Sequence, residues 1–163
     1  METTLEKRQQ AQRIKLEIFK MDPRVETPEY ASAGSAGFDL RAFIPEEKSI
    51  TLKASSRGKI STGLKVIIPE GFEIQVRPRS GLAFKNGVSL TNTPGTIDSD
   101  YRGELQVLII NHGDEDFVIN HNDRIAQAVI APVWQADFTE ISEMPDENTN
   151  TRGTGGFGST GVK

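Results

Sequence analysis

The sequence predicts an all-β fold, a sandwich or barrel carrying one short helix. Three observations predict it. Short apolar runs alternate with polar residues at period 2, as in Ile60, Thr62, Leu64, Val66 and Ile68. Gly and Pro punctuate these runs at regular intervals, as at Pro69-Glu70-Gly71. No long apolar stripe of period 3.6 occurs anywhere in the chain. At 163 residues the chain is expected to form one domain with a sizeable core.

Residues 1–12 are polar and charged without an apolar period, so they read as a short helical or frayed extension without assigned function. Ile14, Leu16 and Ile18 alternate with Lys15 and Glu17 and predict a half-buried strand. Pro23 and Pro28 break the next segment. The small residues Ala33-Gly34-Ser35-Ala36-Gly37 let backbone approach something closely. In the strand that follows, Phe38, Leu40 and Ala42 share one face, Asp39 and Arg41 the other. The polar pair is either a surface ion pair of little worth, or Asp39 stands beside a bound cation or its waters.

The run from Ile60 to Ile68 turns at Pro69-Glu70-Gly71 and is expected to return as a β-hairpin through Phe72, Ile74 and Val76. Glu73, Gln75, Arg77 and Arg79 take the opposite face. Ser80 through Gly87 predicts the helix, with Ser80 as N-cap and Gly87 as stop. Free N–H groups at its start, with Arg77, Arg79 and the Ser80 hydroxyl, suit a phosphate. A capped helix with solvated arginines explains the same residues equally well on its own.

Val88 to Asn92 leads into Gly95-Thr96-Ile97-Asp98-Ser99-Asp100-Tyr101-Arg102-Gly103-Glu104-Leu105. Two carboxylates, a phenol and a guanidinium stand within five residues here, after a Pro94-Gly95 turn and before the apolar run 105–110. That run reads as a buried strand. An unpaired buried charge is very costly, so the polar cluster belongs at the mouth of a turn. An idle hairpin tip is the weaker reading, because Ile97 and Tyr101 are larger and more apolar than such a tip needs.

Phe117-Val118-Ile119 is a short strand and Asn120 to Asp123 a turn. Along Arg124 to Ile130 the alternation is imperfect: Ile125 and Val129 share a face that Arg124, Gln127 and Ala128 do not follow cleanly. Phe138 and Ile141 read as core or edge residues. From Pro145 the chain turns polar, and five of the ten residues 152–161 are glycine. This tail is expected to be flexible. No Gly-Lys-Ser/Thr follows its glycines, so a strand–loop–helix nucleotide cradle is not expected. Arg152 and Phe157 on such a tail suit a lid over a nucleotide, or the tail is a mere linker.

Composition narrows the function classes. The net charge of -4 gives no support to a nucleic-acid partner. Without cysteine, disulfides, thiolate catalysis and Cys-based zinc sites are excluded, and a reducing compartment is permitted. His112 and His121 flank an acidic loop without metal-ligand spacing and read as turn histidines. No apolar run approaches the ~18 residues of a membrane span, and the N-terminus lacks the apolar centre of a signal peptide. A cytoplasmic protein without membrane or nucleic-acid partner is expected.

Taken together, five segments resemble the trimeric dUTP pyrophosphatase (dUTPase) family. They are Ala36 to Ala42, Arg79-Ser80-Gly81-Leu82-Ala83, Asn92 to Gly103, Asp123-Arg124-Ile125-Ala126-Gln127, and the glycine-rich C-terminus. They stand in family order from about residue 14 to the end. The resemblance implies a distorted jelly-roll β-barrel over residues 14–144, after an extension at 1–13 and before a tail at 145–163 that closes the active site. It implies a homotrimer with three shared sites, and Mg²⁺ on the triphosphate. It implies hydrolysis of dUTP to dUMP and pyrophosphate, which limits uracil in DNA and supplies dUMP for thymidylate synthesis.

The resemblance also implies residue roles. Asp98 would hold and deprotonate the attacking water and meet the sugar 3′-hydroxyl. Tyr101 would pack under the deoxyribose and leave no room for a 2′-hydroxyl. Asn92 and the backbone from Thr96 and Ile97 to Gln106 would read the uracil edge. Arg79, Ser80 and Gly81 would bind phosphates, with Ser80 and Gln127 joining Asp98 in catalysis. Asp39 and Gln127 would act on the metal's waters, with no direct protein ligand. Arg152, Phe157, Gly158, Ser159 and Thr160 would close over the nucleotide. Phosphoryl transfer needs positioning and charge neutralisation more than covalent chemistry. Mg²⁺ keeps several waters and few protein ligands, which suits a sequence without a dense carboxylate cluster.

Two rivals stand beside this reading. A deoxycytidine triphosphate deaminase would share the barrel but lack the Asp-Ser-Asp-Tyr arrangement. A non-catalytic nucleotide-binding protein would be signalled by loss of Asp98, Ser80 or the tail, and all are present. Incubation with dUTP, dCTP, dTTP and UTP separates them: monophosphate with pyrophosphate, ammonia, or neither.

Overall fold

The computed structural model describes residues 13–145. Ten strands and one helix follow in order: β1 Glu17–Lys20, β2 Gly37–Arg41, β3 Ser49–Leu52, β4 Arg57–Ile67, β5 Phe72–Arg77, α1 Ser80–Asn86, β6 Val88–Leu90, β7 Gly95–Ile97, β8 Glu104–Asn111, β9 Phe117–Asn120 and β10 Arg124–Pro132. They build two four-stranded sheets, β1-β4-β8-β6 and β2-β10-β5-β7, and a β3-β9 ribbon, all antiparallel. The architecture is all-β and jelly-roll-like, as the sequence predicts.

One core joins the elements. Leu40, Ile74, Ala126 and Ala128 face it from one sheet, and Ile60, Val66, Leu105, Val107 and Ile109 from the other. Each large aliphatic side chain withdrawn from water there contributes about 1.5–3 kcal/mol before conformational entropy is set against it. Within this core Asn111 is fully buried. Its Nδ2 donates to the carbonyls of Leu52 (3.2 Å) and Glu115 (2.8 Å), and its Oδ1 accepts from Gly113 N–H (2.9 Å). The polar side chain therefore ties β8 to β3 and to the following loop.

Several expectations are corrected. The hairpin expected from residues 60–76 does not form, because β4 and β5 lie in different sheets. Both edges of β4 are taken by β1 and β8, and both edges of β5 by β10 and β7. Pro69-Glu70-Gly71 carries the chain between sheets, with Gly71 at φ +81°. Alternation identifies a strand's buried face, whereas its neighbour is chosen by long-range pairing. The first strand begins at Glu17 rather than Ile14, because its partner ladder ends at the Glu17–Ile67 pair, just before Ile68 and Pro69. The 105–110 run is buried on one face only, and Leu108 is exposed.

The imperfect alternation of Arg124–Ile130 has its cause in a register shift against β2 between Arg124 and Ala126, which puts Ile125 and Ala126 both inside. The chain divides into two units, Met1–Val133 and Trp134–Lys163. Phe138 and Ile141, expected as core or edge residues, are exposed. Among the described residues no helix is long and apolar enough to cross a membrane.

Candidate active site

The predicted site residues gather at two places on the β2-β10-β5-β7 sheet. The first is built by β10, which runs between β2 and β5 and sets Gln127 opposite Asp39 on one side and Arg77 on the other. Gln127 Nε2 donates to the Pro78 carbonyl at 3.0 Å and so holds the chain just before Arg79. The Asp39 carboxylate receives Arg79 Nε at 3.0 Å and Arg124 Nη1 at 3.3 Å. Arg79 Nη1 also donates to the Arg124 carbonyl at 3.1 Å. Asp39 does not pair with Arg41, which reaches Glu26 at 3.3 Å and the Asn122 carbonyl at 2.9 Å. Neighbours on one face of a strand point the same way, yet Asp39 is met by arginines from other segments, Arg79 and Arg124.

Side-chain exposure of 25% for Asp39 and 28% for Arg79 makes this pair better shielded than an ordinary surface bridge. A cavity of about 520 Å³ opens beside Asp39 and Arg124, lined also by Arg41, Tyr30 and Thr62.

Helix α1 begins here, and its cap differs from expectation. Arg79 is the N-cap, with φ −93° and ψ 126° and no side-chain capping bond, and Ser80 is the first helical residue. The first intrahelical bond runs from Ala83 N–H to the Arg79 carbonyl at 3.0 Å. The N–H groups of Ser80, Gly81 and Leu82 therefore precede the helix ladder. Gly81 has open space where a side chain would stand. Gly87 ends the helix at φ +66°, as predicted.

The second place is the turn after β7. Pairing sets Gly95 opposite Val76 and Ile97 opposite Ile74. Ile97 is half-buried against the core and Thr96 exposed. Asn92 lies against Gly95, with its Nδ2 3.1 Å from where a Cβ would be. The turn closes with Tyr101 N–H donating to the Asp98 carbonyl at 3.2 Å. Arg102 Nη1 donates to the carbonyls of Ser99 (2.6 Å) and Tyr101 (2.9 Å), so the guanidinium braces the turn's backbone. The Tyr101 hydroxyl donates to the Glu104 carbonyl at 3.1 Å. Gln106 Nε2 donates to Glu104 at 3.1 Å. Asp98 is exposed, and among the described residues its carboxylate has no hydrogen-bond donor.

The two places leave β5 at opposite ends. Arg79 and Ser80 follow Arg77, whereas β7 runs antiparallel and releases Asp98 beyond Ile74, toward Phe72. The strand length from Glu73 to Arg77 alone is about 13 Å. One chain therefore presents the carboxylate and the helix start apart.

Sequence reasoning named Arg124, Gly103 and Glu104 only as parts of longer segments and gave none of them a role of its own. For Arg124 the available signal was its place in the segment that carries Gln127. Arg152, Phe157, Gly158, Ser159 and Thr160 lie outside the described residues. Among the described residues no three His, Cys, Asp or Glu gather as a metal cage. Elsewhere, the Arg24 guanidinium donates to Asp22 and holds its carboxyl down at about 2, and Lys53 lowers Asp116.

Comparison with known proteins points one way. The dUTPase family model matches residues 24–161. The deoxyuridine 5′-triphosphate nucleotidohydrolase of Caulobacter vibrioides is 51% identical over 149 residues, 91% of this chain and 94% of that protein. The Rhizobium rhizogenes protein of the same name is 56% identical over 138 residues, 85% and 86% of the two chains. Among solved structures, a Staphylococcus bacteriophage 80alpha dUTPase variant with dUpNHpp has TM-score 0.78 at 25% identity, covering 91% of this chain and 99% of that one. A phage phi11 dUTPase variant, described for its structural Mg(II) ion, has TM-score 0.70 at 24% identity, covering 80% and 98%.

Proposed function

The chain belongs to the dUTPase family, and on that premise we propose that it hydrolyses dUTP to dUMP and pyrophosphate in a homotrimer whose sites are completed across subunit boundaries. The observation that carries the shared site is the departure of Asp98 and Ser80 from opposite ends of β5. A cyclic trimer brings the turn of one subunit to the helix start of the next.

In that site Asp98 accepts a proton from water as its oxygen forms the new bond to phosphorus, and pyrophosphate leaves from dUMP. Its open carboxylate is free to meet both water and the sugar 3′-hydroxyl. Tyr101 forms the floor under the deoxyribose, and Asn92, Thr96, Ile97 and Gln106 border the uracil. Arg79, Ser80 and Gly81 hold phosphate oxygens, and Gln127 keeps Pro78 and hence Arg79 in place. The donor set at this end is one carboxylate and one carboxamide, Asp39 and Gln127. That set fits Mg²⁺ carried by the triphosphate and met through its waters. The metal would neutralise charge on the leaving pyrophosphate. We assign the tail residues Arg152, Phe157, Gly158, Ser159 and Thr160 to closure over the nucleotide, and the enzyme to the cytoplasm.

Mixed trimers test the shared site. Assayed at dUTP well below KM, where weakened binding shows as lost turnover, Asp98→Asn and Arg79→Ala subunits are each expected to lose most of their activity alone. If the two groups act across a boundary, every mixed trimer has one junction that joins an intact Asp98 to an intact Arg79, and about one site in three revives. Verified mixed trimers as inactive as their parents would refute sharing between these groups.

A further inference from the structure

Gly103 is a glycine without a backbone reason to be one. The described glycines with left-handed φ are Gly63, Gly71 and Gly87, and Gly103 is not among them. An alanine there suits the backbone. What it would not suit is Tyr101. A Cβ on residue 103 would overlap the Tyr101 hydroxyl oxygen and Cζ and stand 2.9 Å from Cε2, so the ring lies directly across the glycine. The hydroxyl then meets the Glu104 carbonyl at 3.1 Å. The neighbouring carbonyl thus fixes the tip of a ring that only a bare Cα admits.

This seat is itself anchored. The Glu104 carboxylate accepts Gly63 N–H at 2.8 Å and the Ser61 hydroxyl, both in β4. Ser61 and Gly63 sit where the β4–β8 register shifts between Ser61 and Lys65. Gly63 is held there at φ +67°, with Val25 and Phe43 packed where its side chain would be. Glu104 therefore fastens the exit of the Asp98 turn to a backbone irregularity packed on the core.

We propose that Gly103 and Glu104 are positioning residues for sugar selection: Gly103 makes room for the Tyr101 ring, and Glu104 holds its hydroxyl at a height fixed by β4. The proposal rests on Tyr101 being the floor under the deoxyribose. A ring pushed off residue 103 rises or swings aside, and the space that excludes a 2′-hydroxyl changes with it. Because the obstructing atoms are at the far end of a rotatable side chain, Gly103→Ala relieves the clash by moving the ring and leaves the fold intact.

The test is a double-mutant cycle in the full-length enzyme, read as the ratio of kcat/KM for dUTP to that for UTP. Tyr101→Ala reports on the floor itself and is expected to lower the ratio about tenfold or more, within the range by which a pocket rejects an added hydroxyl. Gly103→Ala is expected to lower it by a comparable factor, yet to change nothing further in the Tyr101→Ala background, because both act through one ring. A general folding defect would instead reduce both substrates alike and add to Tyr101→Ala.

A second readout needs no turnover. The chain has two tyrosines, so 3-fluorotyrosine labelling in a Tyr30→Phe background leaves one ¹⁹F resonance, that of Tyr101. Gly103→Ala should shift it. An unchanged resonance and an unchanged ratio in Gly103→Ala, with Tyr101→Ala still relaxed, overturn the seat and leave the floor standing. An unchanged ratio in Tyr101→Ala overturns the floor, and the seat's role in selection with it.

Discussion

The two halves of the proposed site are built on opposite principles. At the β10 end, Asp39 is held between Arg79 and Arg124, so its charge is compensated and one positive charge is left over before any ligand arrives. At the β7 end, Asp98 stands exposed without a donor, while Arg102 is occupied with the turn's own carbonyls. On the proposed reading a binding end can be pre-arranged, because a phosphate oxygen can take the place of Asp39 against the arginines. A carboxylate that must take a proton from water cannot be spent in advance on an arginine. The comparison teaches that the proposed reacting group is left open and the proposed binding groups are paired, on the same sheet.

Breaking the open end should have the larger effect. Asp98→Asn should lower kcat by about 10²–10⁴-fold, the usual worth of a general base. Affinity for dUTP should stay within about tenfold, because the other end is untouched. Steady-state kinetics with a direct binding measurement checks this, and a near-normal kcat would show that the proton goes elsewhere.

Breaking the paired end should be milder and should act through binding. Arg79→Ala removes a charged donor, worth about 1.5–3 kcal/mol, and should weaken dUTP binding by roughly 10–100-fold. Arg124→Ala should cost less, since its side chain is 49% exposed against 28% for Arg79. Titration of each variant with a non-hydrolysable dUTP analogue ranks them, and equal losses would mean that burial does not set their worth.

A change remote from both ends sharpens the comparison by acting on stability alone. Asn111→Ala removes three hydrogen bonds from a fully buried position. It should destabilise the fold by about 1–3 kcal/mol with kcat/KM preserved below the melting transition. Thermal melts beside kinetics decide it; intact stability would show that water replaces the side chain.

The smallest effect concerns a carboxylate treated in the opposite way to Asp98. Asp22 is held by Arg24, and its carboxyl lies at about 2 rather than the ordinary 3.8. A depressed carboxylate contributes stability above its unfolded value and loses it as pH falls through the folded one. Asp22→Asn should therefore flatten the Tm-versus-pH curve between about pH 4 and pH 2. Arg24, at 55% side-chain exposure, is well solvated, and solvent screening keeps the effect small; superimposable curves would mean that the pair contributes nothing.

Much of this was legible beforehand, and residues show where legibility stopped. The turn from Asp98 to Gly103 was readable because a dense polar cluster cannot be buried. Ser80 was read as a cap from residue preference, yet Arg79 occupies that position, since preference cannot locate a boundary to one residue. Asp39 and Arg41 were readable as neighbours on a face, but their partners Arg79, Arg124, Glu26 and Asn122 come from distant segments. The sequence places Gly103 at the end of the polar stretch and gives it no role of its own. Only the position of the Tyr101 ring shows that it is there for space.

The sequence by itself determined the buried faces of most strands, the helix stop at Gly87 and the polar segments on which the site is proposed, because period, turn chemistry and burial cost are local properties. The tertiary structure alone decided that β4 and β5 part into separate sheets, that β10 lies between β2 and β5, and that Asp98 and Ser80 leave β5 at opposite ends. Those are matters of which backbone edges meet across long chain separations. Every strand offers two such edges, and nothing in its own residues names the occupants.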